Sequence, residues 1–420
     1  MARAVLANWL TGFMPSPYAD SPRLAVTGIG AACGAGFGKE ALHEALFSAP
    51  DLFTFLQRPG RQSPTDTSRF IGIEIPTPPT ILSPRVERTV GFTSRVAVAV
   101  LDEAWREARL DDVDPERIGL VVGGSSLNSR EQSLAAESHA GRPAFIPPRH
   151  GHIFSDSELG GVCTSTFPIR GFSHTVGAAS ASGAVATLQA MEAVHSGRVD
   201  VCIALGALQD LSLFDLQGLR ALGAMGSSRF ADSPLEACRP MSQDHDGFIY
   251  GEACAALVIE RRKPDQDHYG VLLGGAQITD GSRGPEPNTA GQQRAAQMAL
   301  TQAGLQVKDI DYVNGHATGT PLGDCIELET YKELGLQQAW INTTKSLLGH
   351  GLSAAGAIEI AAVFLQMRQG LLHPCRNLEP ALDTSMRWVG ATPQPHRIRH
   401  ALKLSFGFGG VNTALILKAP

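Results

Sequence analysis

The chain has 420 residues, of which 43% are hydrophobic and 18% charged, and its formal net charge is −6. This apolar fraction excludes a disordered chain, and the acidic balance argues against a nucleic-acid binder, which usually carries a basic excess. At about 100–200 residues per domain, the length predicts two or three folding units or one large two-lobed unit.

Seven cysteines are spaced irregularly and never as Cys-x-x-Cys. This pattern indicates neither a zinc site nor a disulfide framework, so we expect no metal and a reducing, cytoplasmic compartment. Cys163 and Cys325 are interpreted as buried packing residues, which is the usual fate of a free thiol. No stretch approaches the roughly 20 apolar residues that span a bilayer. Residues 1–22 form an extension whose short apolar run is interrupted by polar residues and glycine, which disfavours a signal peptide.

In the first half of the chain, apolar runs closed by glycines alternate with helical patterns. Residues 48–85 and 140–172 are rich in Pro, Gly, Ser or Thr, and they predict loop-rich segments. The predicted elements are strand 24–29, helix 39–47, helix 94–108, strand 118–122, a strand beginning at residue 172, helix 183–195, and strands 201–207 and 253–260.

The polar segment 261–268 is the predicted boundary between two halves. Strands alternate with helices on both sides of it, which predicts a layered α/β architecture with parallel strands. Sequence similarity between the halves is too weak to prove a duplication. After the boundary, the predicted elements are strand 270–278, helix 291–303, strand 312–313, helix 324–334, a short strand and loop at 341–350, helix 353–367, and a hairpin-like pair at 401–406 and 413–417.

Ser180 lies in GAASASG (177–183), where a strand turns into a helix among small residues. Such a turn leaves a side chain exposed at a helix N-terminus and resembles a nucleophile elbow, where free amides and the helix dipole favour negative charge. The alternative is a helix cap, because serine is among the preferred capping residues and capping is the more frequent role. The residues themselves leave both roles open.

Two histidines stand on glycine-flanked loops, His316 in GHATGTPLGD (315–324) and His350 in TKSLLGHGLSAAG (344–356). Loops at strand ends are where α/β folds place their chemistry. Neutral imidazoles donate hydrogen bonds to a developing oxyanion, so both side chains are candidate catalytic groups. The alternative is a structural hydrogen-bonding role, which is the more frequent one for a single histidine.

The segment SFGFGGVN (405–412) has three glycines that allow backbone amides to approach a ligand. A glycine-rich turn between two edge strands is the alternative. Together with RPMSQDHDGFIYGEACAALVIE (239–260), these segments closely resemble the β-ketoacyl synthases of fatty-acid and polyketide synthesis over nearly the whole chain. The resemblance implies the thiolase fold, with two pseudo-symmetric halves (residues 23–262 and 269–418) in a five-layer α-β-α-β-α arrangement, usually as a homodimer.

The resemblance also implies roles for individual residues. His316 and His350 match the two histidines of the family's Cys–His–His triad, and Lys345 matches the lysine five residues before the second. Ser180 occupies the position of the nucleophilic cysteine. Phe408 matches a gating phenylalanine whose backbone N–H completes the oxyanion hole, to which we also assign Ser180.

Three further positions match residues that the family uses around its substrate. Thr318 and Thr320 match threonines that hydrogen-bond the phosphopantetheine arm of an acyl carrier protein (ACP), and Glu327 matches a carboxylate that helps to order the site. The resemblance therefore implies an ACP partner and no bound cofactor apart from that arm. Because ACPs are acidic, we expect a basic docking surface, for which Arg85 and Arg88 are candidates; the more frequent alternative for such residues is an ordinary solvated face.

The serine at position 180 changes the expected chemistry. A cysteine thiol ionises near pH 8.5, whereas a serine hydroxyl is far less acidic and needs a general base, so loading of an acyl thioester should be crippled. Decarboxylation of a malonyl thioester needs only donors that stabilise an enolate oxygen, and the two histidines supply them. The resemblance thus implies a ketosynthase-like enzyme that converts malonyl-ACP to acetyl-ACP for polyketide β-branching.

Two alternatives remain at this point. Ser180 is a true nucleophile in the first, and the protein is an acyltransferase that uses His316 or His350 as its base. In the second, the protein is a non-catalytic partner that resembles chain-length factors. Those partners generally lose catalytic residues beyond the nucleophile, so the retention of both histidines and Lys345 argues against this alternative.

Overall fold

The computed structural model describes residues 23–63, 69–226, 228–264 and 266–420, and the predicted extension at 1–22 lies outside them. The strands are β1 Leu24–Cys33, β2 Gly36–Phe37, β3 Thr54–Phe55, β4 Ile71–Ile73, β5 Ile118–Gly123, β6 Phe172–Val176, β7 Val201–Gly206, β8 Tyr250–Gly251, β9 Cys254–Arg261, β10 Gly270–Thr279, β11 Tyr312–Asn314, β12 Trp340–Asn342, β13 Leu371–Leu372, β14 Gln394–Pro395, β15 His400–Gly407 and β16 Val411–Lys418. The α-helices are α1 Lys39–Phe47, α2 Pro84–Glu87, α3 Phe92–Glu107, α4 Ser129–His139, α5 His150–Ile153, α6 Ser157–Thr166, α7 Ser182–His195, α8 Leu213–Ala221, α9 Pro234–Ala237, α10 Thr289–Ala303, α11 Pro321–Leu334, α12 Lys345–Leu348 and α13 Ala355–Gln369.

The long strands follow the same order in both halves of the chain. The first half runs β1-β9-β7-β5-β6 and the second runs β10-β16-β15-β11-β12. In each half the first two pairings are antiparallel and the next two are parallel. The two sets join where β1 pairs antiparallel with β10. This matched order shows a structural repeat that the sequence comparison of the halves could not prove.

The prediction of parallel strands is therefore wrong for part of each half. A hairpin turn as short as the one between β15 and β16 forces an antiparallel pair, whereas parallel neighbours need a longer crossover. Parallel neighbours that follow each other along the chain, such as β5 and β6, are connected through longer segments that contain helices.

Helices α7 and α13 form the middle layer, and α3 and α10 cover the outer faces of the two sets of strands. Almost all of α13 is buried, which fits a helix that is apolar on every side. The helices α7 and α13 cross closely at two glycines. A Cβ atom on Gly183 would lie 2.8 Å from the Ala357 nitrogen, and one on Gly356 would lie 2.4 Å from the Ala184 nitrogen. The five-layer arrangement is as expected.

Helices α5 and α6 occupy part of the segment 140–172 that was predicted to be loop-rich, so that prediction is wrong there. Glycine, serine and threonine give α6 a low intrinsic helix propensity. Its Leu159 and Cys163 are nevertheless buried with the apolar face of α3, and this tertiary packing decides the local structure. Cys163 is thus buried as predicted, whereas Cys325 is exposed on α11 and its predicted burial is wrong.

Within the described ranges, no helix is long and apolar enough to cross a membrane. The same residues contain no group of three or more His, Cys, Asp and Glu side chains placed to hold a metal ion.

Candidate active site

Ser180 lies in a tight turn between β6 and α7. Ala179, just before it, has a φ of 45°, a left-handed conformation that costs a non-glycine residue of the order of 1–3 kcal/mol. The turn is closed by Ser182, whose Oγ accepts from the Ala178 N–H at 2.9 Å and donates to the Ala179 carbonyl at 2.7 Å. The Ser180 side chain makes no capping bond, because α7 has Ala181 at its cap position. The elbow geometry is therefore present, and the capping alternative is not.

His350 is the partner of the Ser180 hydroxyl. The distance between Ser180 Oγ and His350 Nε2 is 2.9 Å. The other ring nitrogen, Nδ1, accepts the Leu352 N–H at 3.3 Å, which places the ring proton on Nε2. Burial, followed by the positive charges of Lys345 and Lys403, lowers the pKa of His350 well below its usual range. His350 is thus a neutral imidazole that donates from Nε2.

His316 has the same tautomer for a different reason. The Lys345 Nζ lies 3.3 Å from His316 Nδ1, and an ammonium can only donate there. Burial is the largest cause that lowers the pKa of His316 well below its usual range, and Lys345, His350 and Lys403 add to it. The two imidazole rings are 5.5 Å apart at 82°. Two neutral rings, each with its proton on Nε2, therefore stand next to each other.

A buried chain of charges supports His316. Lys345 Nζ also donates to the His316 carbonyl at 2.6 Å and to Glu359 Oε1 at 2.5 Å. The second carboxylate oxygen, Oε2, is 2.8 Å from Lys403 Nζ. Glu359 and Lys403 were missed in the sequence analysis. The available signal was one charged residue inside each of two otherwise apolar runs, AGAIEIAAVF (355–364) and ALKLSF (401–406).

Glu327 orders the loop that carries His316. Its carboxylate accepts the N–H groups of His316 at 2.7 Å and Ala317 at 2.6 Å, and the Tyr331 hydroxyl at 2.5 Å. Ala317 has a φ of 27°, so these bonds hold a backbone conformation that is unusual outside glycine. Burial raises the pKa of Glu327 to about 7.

Thr318 and Thr320 follow on the same loop, with their hydroxyl oxygens 2.9 Å apart. Asp324 stabilises this loop by accepting the Gly319 N–H at 3.0 Å. Both threonines line the cavity described below. They therefore stand where a polar chain entering that cavity would meet hydrogen-bonding partners.

Phe408 lies in the turn between β15 and β16 and is 39% exposed. The turn packs directly on the elbow, because a Cβ atom on Gly407 would lie 2.3 Å from the Ala178 carbonyl oxygen. On its other side, the Gly409 N–H donates to the Gly284 carbonyl at 3.1 Å. The segment is thus a glycine-rich turn that also forms a wall of the cavity. The strands it joins are not the edge strands of the alternative, because β15 also pairs with β11 and β16 with β10.

A cavity of about 780 Å³ brings most of the predicted site residues together. Lys345 lies behind the cavity wall, and neither Arg85 nor Arg88 borders it. Exposed apolar side chains, including Phe214 and Leu322, also line the cavity. The predicted residues that line it are Ser180, His316, Thr318, Thr320, Glu327, His350 and Phe408.

Comparison with known families agrees with this geometry. The model of the β-ketoacyl synthase N-terminal domain matches residues 21–265, and that of the C-terminal domain matches residues 269–379. The chain belongs to the β-ketoacyl synthase family.

Individual relatives refine the placement within this family. The chain is 48% identical over 403 residues to the polyketide biosynthesis malonyl-ACP decarboxylase PksF of Bacillus subtilis, covering 94% of this chain and 96% of that protein. A β-ketoacyl synthase from Burkholderia phymatum superposes with a TM-score of 0.84 at 23% identity, over 95% of this chain and 100% of the other. A ketosynthase solved with a type II PKS acyl-carrier protein superposes at 0.82 and 23% identity, over 96% and 100%. These solved structures confirm the thiolase-type fold of the ketosynthases.

Proposed function

We propose that this ketosynthase-like enzyme decarboxylates malonyl-ACP to acetyl-ACP and supplies polyketide β-branching. One observation carries the proposal: position 180 holds a hydroxyl, while both histidines line the same cavity with a donor at Nδ1 that places the ring proton on Nε2. The site therefore keeps the donors that stabilise an enolate and lacks the thiol that would hold an acyl chain. The 48% identity to a protein named as a malonyl-ACP decarboxylase supports the same conclusion.

Binding begins with the phosphopantetheine arm of the carrier protein, which we propose enters past Thr318 and Thr320. The thioester carbonyl oxygen then lies between the Nε2–H groups of His316 and His350, and we assign the hydroxyl of Ser180 and the backbone N–H of Phe408 to the same oxyanion hole. Neutral donors suit this role, because an imidazolium would also stabilise the malonyl carboxylate and so oppose its loss.

The chemical step breaks the bond between the carboxyl carbon and the methylene carbon. Its electron pair moves into the thioester as an enolate, whose negative oxygen receives the two histidine hydrogen bonds. Carbon dioxide leaves, and the methylene carbon takes up one proton to give the acetyl thioester. Removal of one such donor typically costs about 10²–10³ in rate, so two donors account for a large share of the acceleration.

The two alternative functions have less support. An acyltransferase needs His316 or His350 to accept the Ser180 proton. Each ring has a donor at Nδ1, Lys345 for His316 and the Leu352 N–H for His350, so the ring proton occupies Nε2 in both. A chain-length-factor-like partner has no use for an ordered pair of histidines with a buried lysine behind it. Both therefore rank below decarboxylation.

The test is incubation of the protein with malonyl-ACP, followed by intact mass measurement of the carrier protein and detection of released CO2. We expect acetyl-ACP to accumulate with one CO2 per malonyl group. His350→Ala provides a matched inactive protein, and acetyl-ACP a substrate control that should stay unchanged. Malonyl-ACP that stays intact in the presence of folded wild-type protein would contradict the proposal, whereas a trapped acyl group on Ser180 would support the acyltransferase.

We further propose an acyl carrier protein as the macromolecular partner, with its arm as the group that enters the site and no other cofactor. A similar structure contains a ketosynthase with its acyl-carrier protein. Arg220 and Arg283 lie on segments that line the cavity, and they replace Arg85 and Arg88 as our candidates for contact with an acidic carrier.

A homodimer in the cytoplasm completes the proposal. Strand β6 lies at one end of the strand order, and its Ser173 and His174 are exposed, so its outer edge offers backbone groups for pairing with a second copy. All seven cysteines are free thiols, as expected for a reducing compartment. Sedimentation of the purified protein tests the dimer.

A further inference from the structure

Lys403 is a buried cation that none of the steps above uses. It lies on β15 with its side chain fully shielded from solvent, between apolar neighbours. A buried ammonium is tolerated only where its protons find acceptors. Those of Lys403 face Glu359 Oε2 at 2.8 Å, Ser405 Oγ at 3.0 Å and the Leu404 carbonyl. Burial lowers the pKa of Lys403, and the neighbouring Glu359 carboxylate opposes that shift, so these oxygens are what favour the charged ammonium.

We propose that Lys403 is a positioning residue for decarboxylation, which acts through Glu359 to balance the charge around His316 and His350 and so keeps both imidazoles neutral with Nε2–H directed at the substrate. The inference rests on the proposed function. Lys403 touches neither histidine in the contacts described, and its effect is carried by Glu359 and Lys345.

The charge count shows why a second ammonium is needed. Behind the histidines stand Lys345 and Lys403, against the carboxylates of Glu359 and Glu327. The groups that face Glu327 from α11 are Tyr331 and Asp324. With Lys403 present, two ammoniums flank the single carboxylate of Glu359. Without Lys403, Lys345 alone would offset Glu359, and the negative charge of Asp324 and of ionised Glu327 would oppose an enolate formed in front of them.

Proton placement on the histidines depends on the same balance. His316 Nδ1 must stay unprotonated to receive Lys345, because a proton there would face the ammonium only 3.3 Å away. Positive charge from Lys403 adds to burial in lowering the pKa of both His316 and His350. Loss of Lys403 would also leave Glu359 with Lys345 as its ion partner in these contacts, and would draw that ammonium away from the ring.

A purely structural role for Lys403 makes a different prediction. In that case the side chain only ties β15 to α13 through Glu359, and its removal lowers stability without changing the pH dependence of catalysis. The pH profile of kcat therefore separates the two roles, since it reports the protonation of the histidines in the enzyme–substrate complex.

The experiment compares the wild type, Lys403→Met, Lys403→Met with Glu359→Gln, and Leu402→Ala, using malonyl-ACP from pH 5 to 9. For Lys403→Met we expect kcat to fall by about tenfold or more while KM changes little. The acid limb of the pH profile of kcat should move to higher pH by about one unit. The double variant removes one charge of each sign, so its acid limb should return toward the wild-type position. Leu402→Ala on the same strand should lower the melting temperature and leave the limb in place.

An unmoved acid limb in folded Lys403→Met would overturn the inference, as would a shift that the double variant fails to reverse. If Lys403→Met does not fold, Lys403→Arg and the double variant are compared with the wild type instead. An acid limb of the kcat profile at the wild-type pH in both variants supports charge balance. A displaced acid limb in either variant contradicts it. If the wild-type protein itself releases no CO2, the proposed function is wrong. In that case, NMR titration of 15N-histidine-labelled protein still tests whether loss of Lys403 raises the imidazole pKa values.

Discussion

The two halves of the molecule contain the same turn at equivalent places, yet they use it differently. Residues 179–184 and 352–357 each begin with a left-handed residue, Ala179 at φ 45° and Leu352 at φ 48°, and continue through a short 3-10 turn into a central helix. Ser180 corresponds to Ser353 by this alignment, and Gly183 to Gly356.

The serines show the difference most clearly. Ser180 is half-buried, borders the cavity and pairs with His350, whereas Ser353 has no exposed surface and donates to Gln209 Oε1 at 2.9 Å. The same turn therefore presents its serine for chemistry at position 180, which borders the cavity, and packs it in the interior at position 353. The two histidines and the charged groups behind them, from His316 to Lys403, come from the second half of the chain.

The largest expected effect follows from the histidines that only the second half supplies to this site. His316→Ala or His350→Ala should reduce CO2 release from malonyl-ACP by about 10²–10³-fold, because each removes one donor to the enolate oxygen. The measurement is kcat for CO2 release under saturating malonyl-ACP. A variant of His195, on α7 and outside the cavity, is the matched control and should keep its rate.

Glu327 should give the next largest effect, on stability. Because burial raises its pKa to about 7 from an unfolded value near 4.5, the folded state favours the protonated form. Its stabilising contribution is present below pH 4.5 and is lost as the pH rises to about 7.

Glu327→Gln resembles the protonated form at every pH. We therefore expect the free energy of unfolding of the wild type, relative to this variant, to fall by about 2–3 kcal/mol between pH 4.5 and 7. Urea denaturation at several pH values measures this difference. Glu329→Gln, on the same helix, is the control, and an equal slope in both variants would contradict the prediction.

The helix crossing should respond equally from either side. Gly183→Ala and Gly356→Ala each place a methyl group within 3 Å of the opposite backbone, so each should destabilise the fold by about 1–3 kcal/mol. Chemical denaturation measures the loss. Clearly unequal losses would show that the two halves are not equivalent at this contact. Gly218→Ala on α8, where a Cβ atom meets nothing within 4 Å, is the control.

The paired serines should give the smallest and most informative effects. Ser353→Ala leaves half-buried Gln209 Oε1 without its donor and should cost about 0.5–1.5 kcal/mol of stability. Ser180→Ala should cost little stability, and measurable CO2 release should persist because both histidine donors remain. Denaturation and CO2 assays on the two variants side by side test the contrast; complete loss of CO2 release in folded Ser180→Ala would mean that the hydroxyl is indispensable.

The sequence alone determined the family, the order of most strands and helices, and seven residues that line one cavity. These properties depend on short stretches of sequence, such as glycines at turns, an apolar helix at 353–367, and loops that carry histidines. Tertiary structure decided the rest. Helix α6 forms because its apolar face is buried against α3, the sheet is mixed because of how its strands connect, and Cys325 is exposed because of where α11 packs.

The charge network shows the same limit at the site. Lys345, Glu359 and Lys403 are far apart in the chain and meet only when α12, α13 and β15 pack together. Nothing in the spacing of these residues reports the distance between their side chains. The tautomers of His316 and His350 were beyond the sequence for the same reason: each is set by a donor to Nδ1, and only the folded chain brings that donor into contact.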